Sequence, residues 1–184
     1  QTRDWFLDQL RPGDPSLNIS VSWELLGNVR ADSIETAFNT VIDRHEILRT
    51  RFVEKDGAPM QQVVRTVPFK LDLIDLRAVP VAQQQARVTE IARETSTRAF
   101  DLTQAGLIRA SLVRMSSDRA LLMYVAHHTC FDGFSIKVLG REIGEIAQAI
   151  EAGRSPDLPE LQLQFGDYAM WQGEYLASGA LEDE

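Results

Sequence analysis

Residues 17–26 alternate Ile19, Val21 and Trp23 against Ser20, Ser22 and Glu24, and this period of two with β-branched members predicts a half-buried strand. Residues 119–126 follow another pattern. From Ala120 through Leu121, Leu122, Met123, Tyr124 and Val125 to Ala126 every position is apolar, as in a central strand covered on both faces. Residues 107–115 read as its partner, joined to it through Ser116-Ser117-Asp118 in a hairpin. A strand ending near Val53, a turn at Lys55-Asp56-Gly57 and a return from Gln61 to Val67 form a second hairpin, and residues 71–76 alternate again.

Between these stretches the period lengthens to that of a helix. Trp5, Phe6, Leu7 and Leu10 predict a short helix over 4–10, stopped by Pro12-Gly13-Asp14-Pro15. Asp32-Ser33-Ile34-Glu35 has the spacing of a capping box with Asp32 as N-cap, and Ile34, Phe38, Val41 and His45 then share one face. Pro80 suits the first turn of a helix whose modest apolar stripe is Val81, Val88, Ile91 and Ala92, ending near Phe100. Ile136, Leu139, Ile143, Ile146, Ala147 and Ile150 trace an amphipathic helix from Phe134 to Gly153, with Pro156 and Pro159 beyond it. A last helix runs from Phe165 through Asp167, Tyr168, Met170 and Trp171 to Tyr175. The order is mixed α and β, a sheet with flanking helices, without an internal repeat.

Composition narrows the partners. The 184 residues are 44% hydrophobic and 25% charged, enough for one domain with a proper core. The net charge of −8, without a basic run, argues against nucleic acid. A single cysteine allows no internal disulfide and fits a reducing compartment, so a cytoplasmic location is expected. No apolar run approaches the roughly 18 residues of a membrane span, and no signal peptide is visible. The chain opens on Gln1 rather than Met, which leads us to expect a segment of a longer protein.

Chemistry concentrates in His127-His128-Thr129-Cys130-Phe131-Asp132-Gly133, where the all-apolar strand gives way to a helix. Four readings are open from the residues alone. Asp132 has N-cap spacing, and Gly133 could serve backbone geometry only. His128, Cys130 and Asp132 would share one side of an extended chain and could ligate zinc. Cys130 could be a nucleophile, although a histidine two residues away on one strand is poorly placed to take its proton. A histidine could act as acid–base catalyst beside the free amides of a helix N-terminus, which favour a developing oxyanion.

This segment resembles the HHxxxDG motif of condensation domains in nonribosomal peptide synthetases, within the chloramphenicol acetyltransferase-like acyltransferases. Three further motifs stand in the family's order. Arg44-His45-Glu46-Ile47-Leu48-Arg49-Thr50-Arg51-Phe52 is similar to RHExLRTxF, and Phe165-Gly166-Asp167-Tyr168-Ala169-Met170-Trp171 to YxDYAxW with Phe165 for the Tyr. Arg3-Asp4-Trp5-Phe6-Leu7-Asp8-Gln9-Leu10 resembles the end of the first motif, with Asp4 where Leu is common.

The resemblance implies a chloramphenicol acetyltransferase-like half domain, an α/β (α+β) two-layer sandwich with a mixed sheet and flanking helices. Residues 1–184 correspond to the N-terminal subdomain of a condensation domain, and the C-terminal subdomain lies outside them. The implied reaction is amide formation between carrier-bound acyl and aminoacyl thioesters. The implied catalytic residue is His128, with His127, Asp132, Gly133, Arg44 and Arg49 in supporting or structural roles. Asp132 is expected to pair with Arg44, and Gly133 to keep a side chain out of the substrate tunnel. The implied partners are the donor and acceptor carrier proteins and the C-terminal subdomain, with no metal or cofactor in this chain. Phosphopantetheine belongs to the carriers. A related acyltransferase using coenzyme A thioesters or forming esters, and a non-catalytic docking module, are the alternatives.

Overall fold

The computed structural model describes residues 2–178, in the order α1 (Thr2–Leu10), β1 (Asn18–Leu26), α2 (Ala31–Arg44), β2 (Thr50–Lys55), β3 (Ala58–Val63), β4 (Asp72–Asp75), α3 (Val81–Thr97), β5 (Ile108–Arg114), β6 (Arg119–His127), α4 (Gly133–Glu151) and α5 (Phe165–Ala177). Short 3-10 turns precede β1 and link α2 to β2.

The main sheet has the order β1-β6-β5-β4. β6 lies antiparallel to both β1 and β5, while β4 runs parallel to β5 at the edge. The all-apolar run is therefore interior, with a strand on either side. Its residues serve two cores. Leu122, Tyr124 and Ala126 belong to the core that holds Phe38 and Val41 of α2 and Leu139 and Ile143 of α4. Met123 joins Val113 of β5 and Val88 and Ile91 of α3 in a second, smaller one. Alternate side chains of a strand point to opposite faces, so a strand with a core on each face must be apolar throughout. Aromatic rings fill the larger core: Phe38 stacks on Phe69 at 4.6 Å, and Trp23 meets Tyr124 at 4.9 Å. The fold is mixed α/β, a mixed sheet flanked by helices, as expected.

The second hairpin, β2 with β3, forms a two-stranded sheet of its own. Its turn places Asp56 and Gly57 at φ 54° and 77°, the left-handed region that Asp and Gly adopt most readily. β3 ends at Val63, short of the predicted Val67. Beyond it Arg49 takes over, accepting the Val64 N–H at its carbonyl (2.9 Å) and donating its guanidinium to the Val64 carbonyl (2.8 Å).

Two helix starts differ from expectation. α2 begins at Ala31 with Arg30 in the cap position, so Asp32 lies inside the first turn and provides no cap. Its carboxylate is held by Arg30, and the helix dipole favours the charge there. Glu35 closes no capping box either; it accepts from Lys70 Nζ and the Leu71 N–H, both at 3.0 Å, and ties α2 to the segment entering β4. Pro80 sits one residue before α3, in the cap position, and Val81 is the first helical residue. Among the described residues no helix is long and apolar enough to cross a membrane.

Candidate active site

The sheet delivers the His127–Gly133 segment to one place. His127 is the last residue of β6 and pairs with Asn18 of β1, while its N–H donates to the Leu107 carbonyl at 3.0 Å. The N–H of His128 donates to the Leu17 carbonyl at 2.8 Å. Both neighbouring segments thus hold the strand end, and α4 starts only six residues beyond His127.

The two histidines have opposite surroundings. His127 is 2% exposed, and its Nδ1 lies 2.9 Å from Thr129 Oγ1 and accepts the Thr129 N–H at 3.3 Å. An accepting Nδ1 puts the ring proton on Nε2. Among the described residues that buried Nε2 has no hydrogen-bond partner. Burial pushes the ring down from 6.5 to about 4, against a smaller opposing pull from Asp4, so His127 is neutral near pH 7. It packs edge-on to Phe100. The His128 side chain is 49% exposed and lines a cleft of about 510 Å³.

That cleft is bounded by Asp4 of α1, His45 and Ile47 just after α2, Phe131 and Asp132 of the loop, Phe134 and Val138 of α4, and Phe165 of α5. Its walls are largely apolar, with a few polar groups converging. This is the composition of a small-molecule site.

Asp132 is the N-cap of α4. Its carboxylate accepts the Ser135 N–H at 2.8 Å and the Ser135 hydroxyl at 2.7 Å, and Ser135 Oγ in turn accepts the Asp132 N–H at 3.2 Å. These hydrogen bonds hold the carboxyl below the usual carboxylate range. The expected Asp132–Arg44 pair is not formed. Arg44 lies at the far end of α2, beside the middle of α4, and its guanidinium meets Glu142 at 3.4 Å and the Pro159 carbonyl. Ten residues of helix, about 15 Å at 1.5 Å per residue, separate Asp132 from Glu142. The carboxylate of Asp132 takes the Ser135 N–H at this helix N-terminus, so that amide is not open to an oxyanion.

Cys130 is buried against the carbonyls of Leu107 and His127, and burial raises its thiol to about 12, which removes it as a nucleophile. His128, Cys130 and Asp132 do not converge: one faces the cleft, one the core, one the helix end. No group of three or more His, Cys, Asp or Glu among the described residues could hold a metal ion. A Cβ on Gly133 would meet nothing within 4 Å, so no close neighbour requires glycine there. Arg49 reaches the Val64 carbonyl and, at 3.2 Å, Glu46.

Sequence reasoning missed three groups. Glu142, 1% exposed, sits on the buried face of α4 and holds His45 Nε2 at 2.7 Å as well as Arg44. A lone acid between Leu139 and Ile143 in the apolar stripe was the available signal. His45, which shares a helix face with Ile34, Phe38 and Val41 and stands in the RHExLRTxF-like segment, lines the cleft. Asp4 carries its carboxylate to within 3.7 Å of His128 Nδ1, across 124 positions of sequence.

A condensation-domain family model matches residues 1–184. The chain is 39% identical over 176 residues to phosphinothricin tripeptide synthetase PhsC of Streptomyces viridochromogenes, covering 96% of this chain and 16% of that one. It is 37% identical over 185 aligned positions to the isonitrile lipopeptide synthase of Mycobacterium tuberculosis, covering 100% and 7%. Among solved structures, the X-domain from teicoplanin biosynthesis is similar, with TM-score 0.81, 30% identity and coverage of 100% and 38%. The starter condensation domain of rhizomide synthetase RzmA shares the fold, with TM-score 0.85, 23% identity and coverage of 95% and 42%. The chain thus spans a small part of those synthetases and about two-fifths of the solved chains. With the four motifs seated on one fold and each of them contributing to the lining of one cleft, the chain belongs to the condensation-domain family of nonribosomal peptide synthetases.

Proposed function

We propose that the chain is the N-terminal half of a condensation domain, working in the cytoplasm, and that His128 is its acid–base residue. The observation that carries this reading is the placement of His128: a half-exposed imidazole on the wall of an apolar cleft, while its neighbour His127 is buried and neutral. The amine of a carrier-bound aminoacyl thioester attacks the carbonyl of a carrier-bound acyl thioester. A C–N bond forms, and the C–S bond then breaks to give an amide and a carrier thiol. The imidazole takes or orients the amine proton and can return it to the departing sulfur. The chain itself needs no metal for this. Phosphopantetheine arms bring both substrates on partner carrier proteins, and the C-terminal half supplies the opposite wall.

The test uses the complete synthetase with loaded carriers. His128→Ala should lower turnover by about 10²–10⁴-fold, the contribution of a lost acid–base group. Wild-type turnover in that variant would refute the assignment. The 184-residue chain assayed alone should show no turnover, since one wall binds neither thioester properly. A free coenzyme A thioester acting as competent donor would instead indicate the related acyltransferase.

One comparison favours a second reading. A TM-score of 0.82 and 29% identity link the chain to an X-domain whose structure was determined in complex with OxyB. A docking role of that kind predicts capture of a tailoring enzyme with no condensation activity in the complete synthetase, and the cleft-facing His128 has no task in it.

A further inference from the structure

Two carboxylates border the imidazole of His128, one from its own loop and one from α1. Asp132 lines the cleft, but its carboxylate is turned back to cap α4 through Ser135. Asp4 comes from the first turn of α1, and its Oδ2 lies 3.7 Å from His128 Nδ1. Its side chain is only 19% exposed, against 49% for His128, so the pair is shielded on the carboxylate side. Trp5, 6% exposed, anchors α1 in the larger core and fixes the neighbouring Asp4 backbone at the cleft wall. The other imidazole of the cleft, His45, has its own carboxylate in Glu142. Each of the two imidazoles lining this cleft therefore faces a carboxylate supplied by another element.

We propose that Asp4 is a positioning residue for His128: it draws the ring proton to Nδ1 and leaves Nε2 as the basic atom presented to substrate. A ring nitrogen's proton is placed by the hydrogen bond its partner nitrogen makes. At 3.7 Å the contact is electrostatic, within about 1 Å of hydrogen-bonding length, and such contacts tighten when a substrate fills the site. As the ring takes up a proton and becomes imidazolium, a carboxylate beside Nδ1 also stabilises the new charge. The geometric claim holds whatever the reaction; its catalytic consequence rests on His128 acting as proposed above.

Two measurements test it. The chain contains three histidines, so selective ¹⁵N labelling resolves each ring. In the wild type, His128 should be mainly the Nδ1–H tautomer. In Asp4→Leu the population should move to Nε2–H, and likewise in Asp4→Asn, which preserves shape and can turn its NH₂ toward Nδ1. Asp4→Glu should restore Nδ1–H in part. An unchanged tautomer in both Asp4→Leu and Asp4→Asn overturns the proposal. In the complete synthetase, Asp4→Asn should lower kcat about tenfold with KM little changed, less than loss of the acid–base group itself because the pair is partly solvated. Unchanged kcat in that variant also overturns the catalytic part. If instead His128→Ala keeps wild-type turnover while the tautomer shift is seen, the functional reading fails and the pairing stands.

Discussion

His127 and His128 are consecutive residues of one type, and burial alone gives them different chemistry. An imidazole at 2% exposure loses the hydration that its cation needs. Its value near 4, below the ordinary 6.5, has a measurable consequence. Between those two values the unfolded chain binds a proton at this site and the folded chain does not. Stability therefore falls as pH drops from about 6.5 toward 4, by at most about 1.4 kcal/mol per pH unit from this group, and levels off below. Urea denaturation of wild type and His127→Gln across that range checks it. The variant should lack this part of the slope, and parallel curves would exclude His127 as its source. Nothing in the pair of letters His127-His128 distinguishes the two rings. The distinction comes from the strand end, where one side chain turns under Phe100 and the next faces the cleft.

At the scale of elements, α4 joins the loop to the rest of the molecule. Its start is capped by Asp132, and its middle carries Glu142 against the end of α2. A carboxylate buried this deeply is tolerated because Arg44 and His45 satisfy it, so removing its charge strands two partners at once. Glu142→Gln should cost about 2 kcal/mol, the scale of hydrogen bonds to charged groups. It should also loosen the His45 ring, seen as broadened resonances. An unfolding midpoint equal to wild type would show that the cluster adds no stability. Periodicity made α4 and β6 legible, since their apolar positions repeat at 3.6 residues and at every residue. Capping-box spacing misplaced the start of α2, because Asp32 has N-cap chemistry but the helix already begins at Ala31.

Across the whole molecule, large apolar side chains stand exposed at the edge of the cleft and along α5. Phe134 is 81% exposed, and on α5 Phe165, Tyr168, Trp171 and Tyr175 form a ladder with ring centroids 5.6–5.8 Å apart. α5 has no buried residue and is held at its start by Gln164, whose side chain accepts the Glu46 N–H and donates to the Arg44 carbonyl, both at 3.0 Å. Side chains that touch so little of their own chain add little to its stability. Phe134→Ser and Trp171→Ser should each change the unfolding free energy of the 184-residue chain by less than about 0.5 kcal/mol. Both should reduce binding of an apolar fluorescent dye. A loss of about 2 kcal/mol or more, by the same scale, would show these rings packed within the chain.

Local pattern alone established the strands and helices, the two-faced burial of β6, and the family motifs around His128, because periodicity and short-range spacing are carried by neighbouring residues. Tertiary structure decided which charges meet. Asp132 turned inward to its own helix, Arg44 went to Glu142, and Asp4 came to His128, because such pairings depend on where α1, α2 and α4 pack and not on any spacing along the chain.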